Sequence, residues 1–160
     1  MTKVYIGLGA NLNAPKEQIE AALLALNAIP HTQLISNSQL YGSKPMGPQD
    51  QPDYVNAVAC LNTSLEALDL LDALQSIELE QGRQRKDERW GARTLDLDIL
   101  LFGNEVMQTS RLTVPHYGLC DREFVVYPLL EIAPELILPN GKKLCEIAKE
   151  VPLNDLTPLK

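Results

Sequence analysis

Two aspartates one residue apart, Asp96 and Asp98, stand in the run Arg93-Thr94-Leu95-Asp96-Leu97-Asp98-Ile99-Leu100. In an extended strand, side chains two apart share a face, so both carboxylates project together with Cβ atoms about 7 Å apart while Leu95, Leu97 and Ile99 point the other way. Like charges at that distance repel unless a cation or an arginine lies between them, and hard oxygen ligands so spaced suit Mg²⁺ shared with nucleotide phosphates. Taken alone, such a pair is equally the outer face of a solvated edge strand. The arginines separate the two readings. All six, at 83, 85, 89, 93, 111 and 122, fall within one forty-residue window, whereas residues 1–82 carry three lysines against nine acids. Guanidinium forks gathered beside paired carboxylates, in a chain of net charge −7, fit a small phosphate-bearing ligand and speak against nucleic acid or an anionic membrane surface.

The familiar nucleotide motifs are absent. Gly141-Lys142 lacks a glycine at Leu136, so there is no Walker A loop, and Gly7-Leu8-Gly9 meets Leu12 where a dinucleotide fingerprint requires glycine. A second ligand type is suggested by the aromatics. Most aromatics simply pack, and Phe124 and Tyr54 read first as core residues; with only two Phe and one Trp in the chain they are alternatively stacking faces for a flat heteroaromatic, with Asn56, two residues beyond Tyr54 on the same strand face, at its edge.

Those residues need elements to hold them. Residues 3–9 read as a strand, and a turn follows to Ala14. A helix from Pro15, with Ile19, Ala22, Leu23, Leu26 and Ile29 at helical spacing, ends towards Pro30. Residues 32–41 and 54–63 read as strands, the latter alternating Val55, Ala57, Ala59 and Leu61 against Tyr54, Asn56, Val58 and Cys60. A helix over 65–81 precedes a C-cap glycine at Gly82. A strand over 94–102, a hairpin over 103–115 and short helices over 121–131 and 143–150 complete the chain. The order β-α-β-β-α-β with an extension predicts a ferredoxin-like α/β sandwich, a mainly antiparallel sheet flanked by helices. Two long Pro- or Gly-punctuated loops, 42–53 and 83–93, are read as covers that close over the ligands, with Trp90 in the second.

At 160 residues and 45% hydrophobic content the chain is expected to be one domain, residues 1–160. No apolar run approaches the ~18 residues of a membrane span and the N-terminus lacks a cleavage-like signal, so a cytoplasmic protein, expected to be a monomer, is implied. Cys60, Cys120 and Cys145 form no CxxC pair, which supports neither a disulfide framework nor a zinc knuckle.

The residues from Arg89 to Leu100, a basic residue followed by x-G-x-R-x-x-D-L-D and two hydrophobics, resemble the signature of the 6-hydroxymethyl-7,8-dihydropterin pyrophosphokinases of bacterial monofunctional type. Gly9-Ala10-Asn11-Leu12, Pro45-Met46-Gly47-Pro48-Gln49-Asp50-Gln51-Pro52 and Pro115-His116-Tyr117 extend the resemblance over essentially the whole chain. It implies transfer of the β,γ-pyrophosphoryl group of ATP to the hydroxymethyl group of the pterin, with release of AMP and two Mg²⁺ ions as cofactors. It further implies that Asp96 and Asp98 hold both metals and that Arg83 and Arg93 grip the transferring phosphates. His116, Tyr117, Arg111 and Arg122 would lie on the triphosphate and ribose side, with Gln75, Glu78, Arg85, Trp90, Ile99 and Thr113 near the nucleotide. The pterin would meet Tyr54, Asn56, Phe124 and backbone groups near Ser43, Pro45 and Met46. Ser43-Lys44 and Cys120 depart from residues common in the family. The competing readings are another Mg²⁺-dependent phosphoryl or nucleotidyl transferase and a non-catalytic ligand-binding module of the same fold.

Overall fold

A computed structural model describes residues 1–10, 15–43, 54–81, 95–116, 119–153 and 156–158. The elements, in order, are β1 (Thr2–Ala10), α1 (Pro15–Asn27), β2 (Thr32–Asn37), β3 (Tyr41–Ser43), β4 (Tyr54–Thr63), α2 (Ala67–Glu80), β5 (Asp96–Phe102), β6 (Met107–Gln108), β7 (Thr113–Val114), α3 (Glu123–Ile132), α4 (Leu144–Ala148) and β8 (Thr157–Pro158). The main sheet is antiparallel and runs β5-β1-β4, with β2 and β3 both on the far edge of β4 and β8 beyond β3. With the first and third long strands at the centre and helices α1 and α2 in the two crossovers, this is the ferredoxin-like arrangement expected. The 103–115 segment forms the predicted hairpin, β6 against β7.

One expected element differs. The strand over 32–41 is two strands, because Ser38 interrupts the ladder: its amide donates to Val58 O at 2.8 Å while its own Oγ accepts from Val58 N at 3.0 Å. A side-chain oxygen substituting for a backbone carbonyl satisfies the neighbour but ends regular pairing, and β3 resumes three residues later. The predicted cap Gly82 and the loop over 83–93 lie outside the described residues, as do residues 44–53.

Strand periodicity gives the sheet two distinct apolar faces. Val4, Ile6, Leu8, Val55, Ala57, Ala59, Leu61, Leu97 and Ile99 face α1 and α2, meeting Ile19, Ala22 and Leu26 of one helix and Leu70, Leu74 and Ile77 of the other. On the reverse, Tyr5, Val58, Cys60 and Leu100 are covered by α3 and α4 through Val125, Val126, Leu129, Leu144 and Ala148. Burial on both faces explains why β4 is buried along almost its whole length although it is antiparallel.

Candidate active site

Helices α3 and α4 cover only part of the reverse face. Past the edge of that cover, the ends of β1, β4 and β5 form the floor of a cleft of about 230 Å³, lined by Gly7, Gly9, Tyr54, Asn56, Asp96, Asp98, Leu100, His116, Arg122 and Phe124 among others. Register decides what stands beside what. Gly9 pairs with Asp96 on one side and with Asn56 on the other, while Gly7 pairs with Asp98 and Val58. Paired residues of adjacent antiparallel strands share a face, so Asp96 and Asn56 rise from the floor on either side of a residue without a side chain. The space is not spare: a Cβ at Gly9 would lie 2.9 Å from Asn56 Nδ2, whereas one at Gly7 would make ordinary contact with Leu100 at 3.4 Å. Glycine at these alternate positions is what keeps the floor flat.

The walls come from the other elements. Phe124, in the first turn of α3, leans over the cleft, with the guanidinium of Arg122 5.8 Å from its ring centre, within the range of a cation–π contact. His116 is tied beside β5 by its amide, which donates to Leu100 O at 3.0 Å. Burial lowers the pKa of His116; the Asp98 carboxylate raises it in part and Arg122 lowers it again. The imidazole therefore titrates under the influence of one carboxylate and one guanidinium of the cleft. Asn56 is 8% exposed, and Asp98 is more open than Asp96.

Seven of the residues anticipated from sequence thus meet in one cleft: Tyr54, Asn56, Asp96, Asp98, His116, Arg122 and Phe124. Others stand elsewhere. Gln75 and Arg111 meet each other, Arg111 Nη2 donating to Gln75 Oε1 at 3.2 Å and to Asp72 Oδ1 at 2.7 Å, on the exposed side of α2. Thr113 is exposed on β7. Ile99 packs in the core under α1 and α2, and Glu78 is buried on α2 with Oε2 accepting the Leu97 amide at 2.7 Å. Arg83, Arg85, Trp90, Arg93, Tyr117, Pro45 and Met46 lie outside the described residues, and Ser43 is described only through its pairing with Tyr54. Among the described residues no cluster of three or more His, Cys, Asp or Glu side chains is arranged for a metal. Gly7 and Gly9 were not among the anticipated site residues. Their signal was two glycines at alternate positions of one strand, a pattern that marks close approach from that face.

A pair of carboxylates and an arginine on a glycine floor, faced by an amide and two aromatics, defines an α/β sandwich whose site has one part suited to phosphate and another to a flat heterocycle. The chain belongs to the 7,8-dihydro-6-hydroxymethylpterin-pyrophosphokinase (HPPK) family, whose sequence profile matches residues 5–134. It is 58% identical over 150 residues to the 2-amino-4-hydroxy-6-hydroxymethyldihydropteridine pyrophosphokinase of Haemophilus influenzae, a match covering 94% of this chain and 93% of that protein. The protein of the same name from Pseudomonas aeruginosa is 56% identical over 154 residues, covering 96% of this chain and 94% of the other. In three dimensions the chain is similar to an HPPK-DHPS in complex with substrates, with a TM-score of 0.72 and 13% identity, across 94% of this chain and 45% of that one. Plasmodium falciparum HPPK-DHPS with pteroate gives 0.73 at 13% identity, across 93% and 42%. Those two likenesses concern the fold, and the chain spans less than half of each of those longer proteins.

Proposed function

We infer that this cleft carries out the reaction of the family, pyrophosphoryl transfer from ATP to the hydroxymethyl group of 6-hydroxymethyl-7,8-dihydropterin in folate synthesis. The observation that carries the residue assignment is the row Asp96–Gly9–Asn56, which sets a carboxylate and an amide on one face with an uncluttered residue between them. Asn56 would read the polar edge of the pterin while Tyr54 and Phe124 stack on its faces. That leaves the hydroxymethyl arm directed over Gly9 towards the carboxylates.

Asp96 and Asp98 would hold two Mg²⁺ ions together with the triphosphate. Two hard, acceptor-only groups on one strand end fit that cation as part of a shell completed by phosphate oxygens. When bound, the ions neutralise phosphate charge and orient the transferring group. Arg122 and His116 would meet the triphosphate, joined by Tyr117, Arg83 and Arg93. Gln75 and Arg111, already in contact, would take the outer side of the nucleotide with Arg85, Trp90 and Thr113, whereas the Ile99 side chain is buried in the core behind the sheet. Pterin contacts would continue to the backbone at Ser43, Pro45 and Met46. The pterin oxygen attacks the β-phosphorus, its bond to the oxygen bridging to the α-phosphate breaks, AMP leaves, and the alcohol proton passes to water or phosphate. A monomeric, cytoplasmic enzyme accords with this reading, and no helix among the described residues is long and apolar enough to cross a membrane.

The test is incubation with ATP, Mg²⁺ and hydroxymethyldihydropterin, followed by separation of nucleotides and pterins. AMP and the pterin pyrophosphate in equal amounts support the reading. ADP would mean a simple kinase, and no consumption of ATP a binding module.

A further inference from the structure

Strand β5 is the terminal strand of the main sheet, so the amides on its outer edge have no strand to bond among the described residues. Alternate amides of a terminal strand point away from the sheet, and an unsatisfied one is costly when buried. The amide of Leu97 is such a group, and it lies between the two aspartates of the cleft. It donates at 2.7 Å to Oε2 of Glu78, which reaches across from α2 and is only 5% exposed. Glu78 does not line the cleft. Its carboxylate meets the strand on the edge that faces α2, while Asp96 and Asp98 rise from the opposite face, so a direct contact with a ligand in the cleft does not follow from its place in the fold.

We propose that Glu78 is a positioning residue that pins the Asp96-Leu97-Asp98 backbone by its central amide and so sets the spacing of the two carboxylates. The proposal rests on the reading that those carboxylates share Mg²⁺ with ATP. A buried side-chain acceptor that satisfies an edge amide fixes the peptide unit it holds, and it is the reach of that acceptor, not its charge, that sets where the peptide sits. Groups that orient metal-binding carboxylates typically change metal affinity or activity by about 10- to 100-fold when removed. A helix packed against the back of the sheet thereby acts on the front of it through a single peptide unit.

Two variants separate position from charge. Glu78→Gln keeps an acceptor at the same reach without the charge, while Glu78→Asp keeps the charge but falls short by one carbon–carbon bond, about 1.5 Å. The measurements are hydrogen exchange of the Leu97 amide in the ligand-free protein, turnover against Mg²⁺ concentration at saturating ATP and pterin, and KM for ATP and for pterin at saturating Mg²⁺. In Glu78→Gln, Leu97 stays protected and the Mg²⁺ midpoint moves by no more than about threefold. In Glu78→Asp, Leu97 exchanges at least about tenfold faster and the midpoint rises by about tenfold or more, with KM for pterin unchanged. The reverse ranking of the two variants, or a shift confined to KM for ATP, overturns the proposal by showing that charge or a nucleotide contact is what matters. Asp96→Ala is the control: an unchanged Mg²⁺ dependence there overturns the metal reading, whereas unchanged Leu97 exchange in Glu78→Asp overturns the proposal alone.

Discussion

The reverse face of the sheet has two halves built from the same three strands. In the covered half, Tyr5, Val58, Cys60 and Leu100 lie under α3 and α4; in the open half, two residues further along each strand, stand Gly7 and Gly9, Asn56 and Tyr54, and Asp98 and Asp96. The backbone is continuous across the boundary and only the side chains change. Burying the apolar set removes area from water and stabilises the fold, whereas burying two carboxylates and an amide beneath a helix would cost several kcal/mol per ion without adequate partners. Covering the one half and leaving the other open is therefore what the chemistry of the side chains requires. The open half is where binding is obtained at the expense of packing.

The comparison is most easily broken at the carboxylates. Asp96→Ala or Asp98→Ala should lower turnover by more than about 100-fold, beyond the cost of removing a supporting group, with little change in thermal stability. Comparable losses of turnover and of stability would mean that the open half is structural after all. The covered half should behave in the opposite way. Leu129, fully buried on α3, is expected on replacement by Ala to cost about 2–5 kcal/mol in denaturant unfolding, with KM values near those of the parent wherever the variant is folded.

A smaller effect sharpens the boundary itself. Gly9→Ala introduces a methyl that must displace the Asn56 amide, since only 2.9 Å separates the two positions. KM for pterin should rise by about tenfold, the equivalent of about 1.4 kcal/mol, while KM for ATP stays close to its original value. Gly7→Ala, meeting Leu100 at contact distance, should do much less, and equal effects at the two glycines would remove the asymmetry drawn from the register.

The smallest effect concerns pH. Tyr41 on β3 donates to Glu131 on α3, joining the covering helix to the sheet, and burial followed by that bond holds its pKa up at about 12. A folded pKa raised above the unfolded value of about 10 gives stability that is complete below pH 10 and is lost as pH rises through 12. Tyr41→Phe should be less stable at neutral pH by about 1 kcal/mol, the worth of one hydrogen bond, yet lose less between pH 10 and 12. Denaturant titrations at pH 7, 10 and 11.5 provide the check. An unaltered alkaline slope would mean that Tyr41 does not carry it; Tyr5, likewise held at about 12 by its burial, is the other candidate.

Much of this could be read from local patterns. Asp96 and Asp98 share a face because strand periodicity is two, and Leu97 and Ile99 face the core for the same reason. Ile19, Ala22 and Leu26 form one helix stripe, and Pro15 stands at the first position of α1 as its fixed φ favours. The break at Ser38 was not legible, because a hydroxyl takes the place of a carbonyl only once Val58 stands opposite. Burial of Glu78 behind the sheet likewise depends on where α2 packs.

The types of side chain, their alternation and the concentration of arginines are properties of neighbouring residues, and the sequence by itself determined them: two carboxylates together, an amide two residues from a tyrosine, helices and strands in a ferredoxin-like order. What stands beside what across the sheet was decided only by tertiary structure. Pairing of β1 with both β4 and β5 places Gly9 between Asp96 and Asn56, residues forty apart in the chain, and a shift of one residue would have turned one of them to the other face. The Leu97 amide meets Glu78 through the docking of a helix against a sheet edge. Such contacts are chosen by the collective burial of two apolar faces, a sum over many side chains that no local window contains.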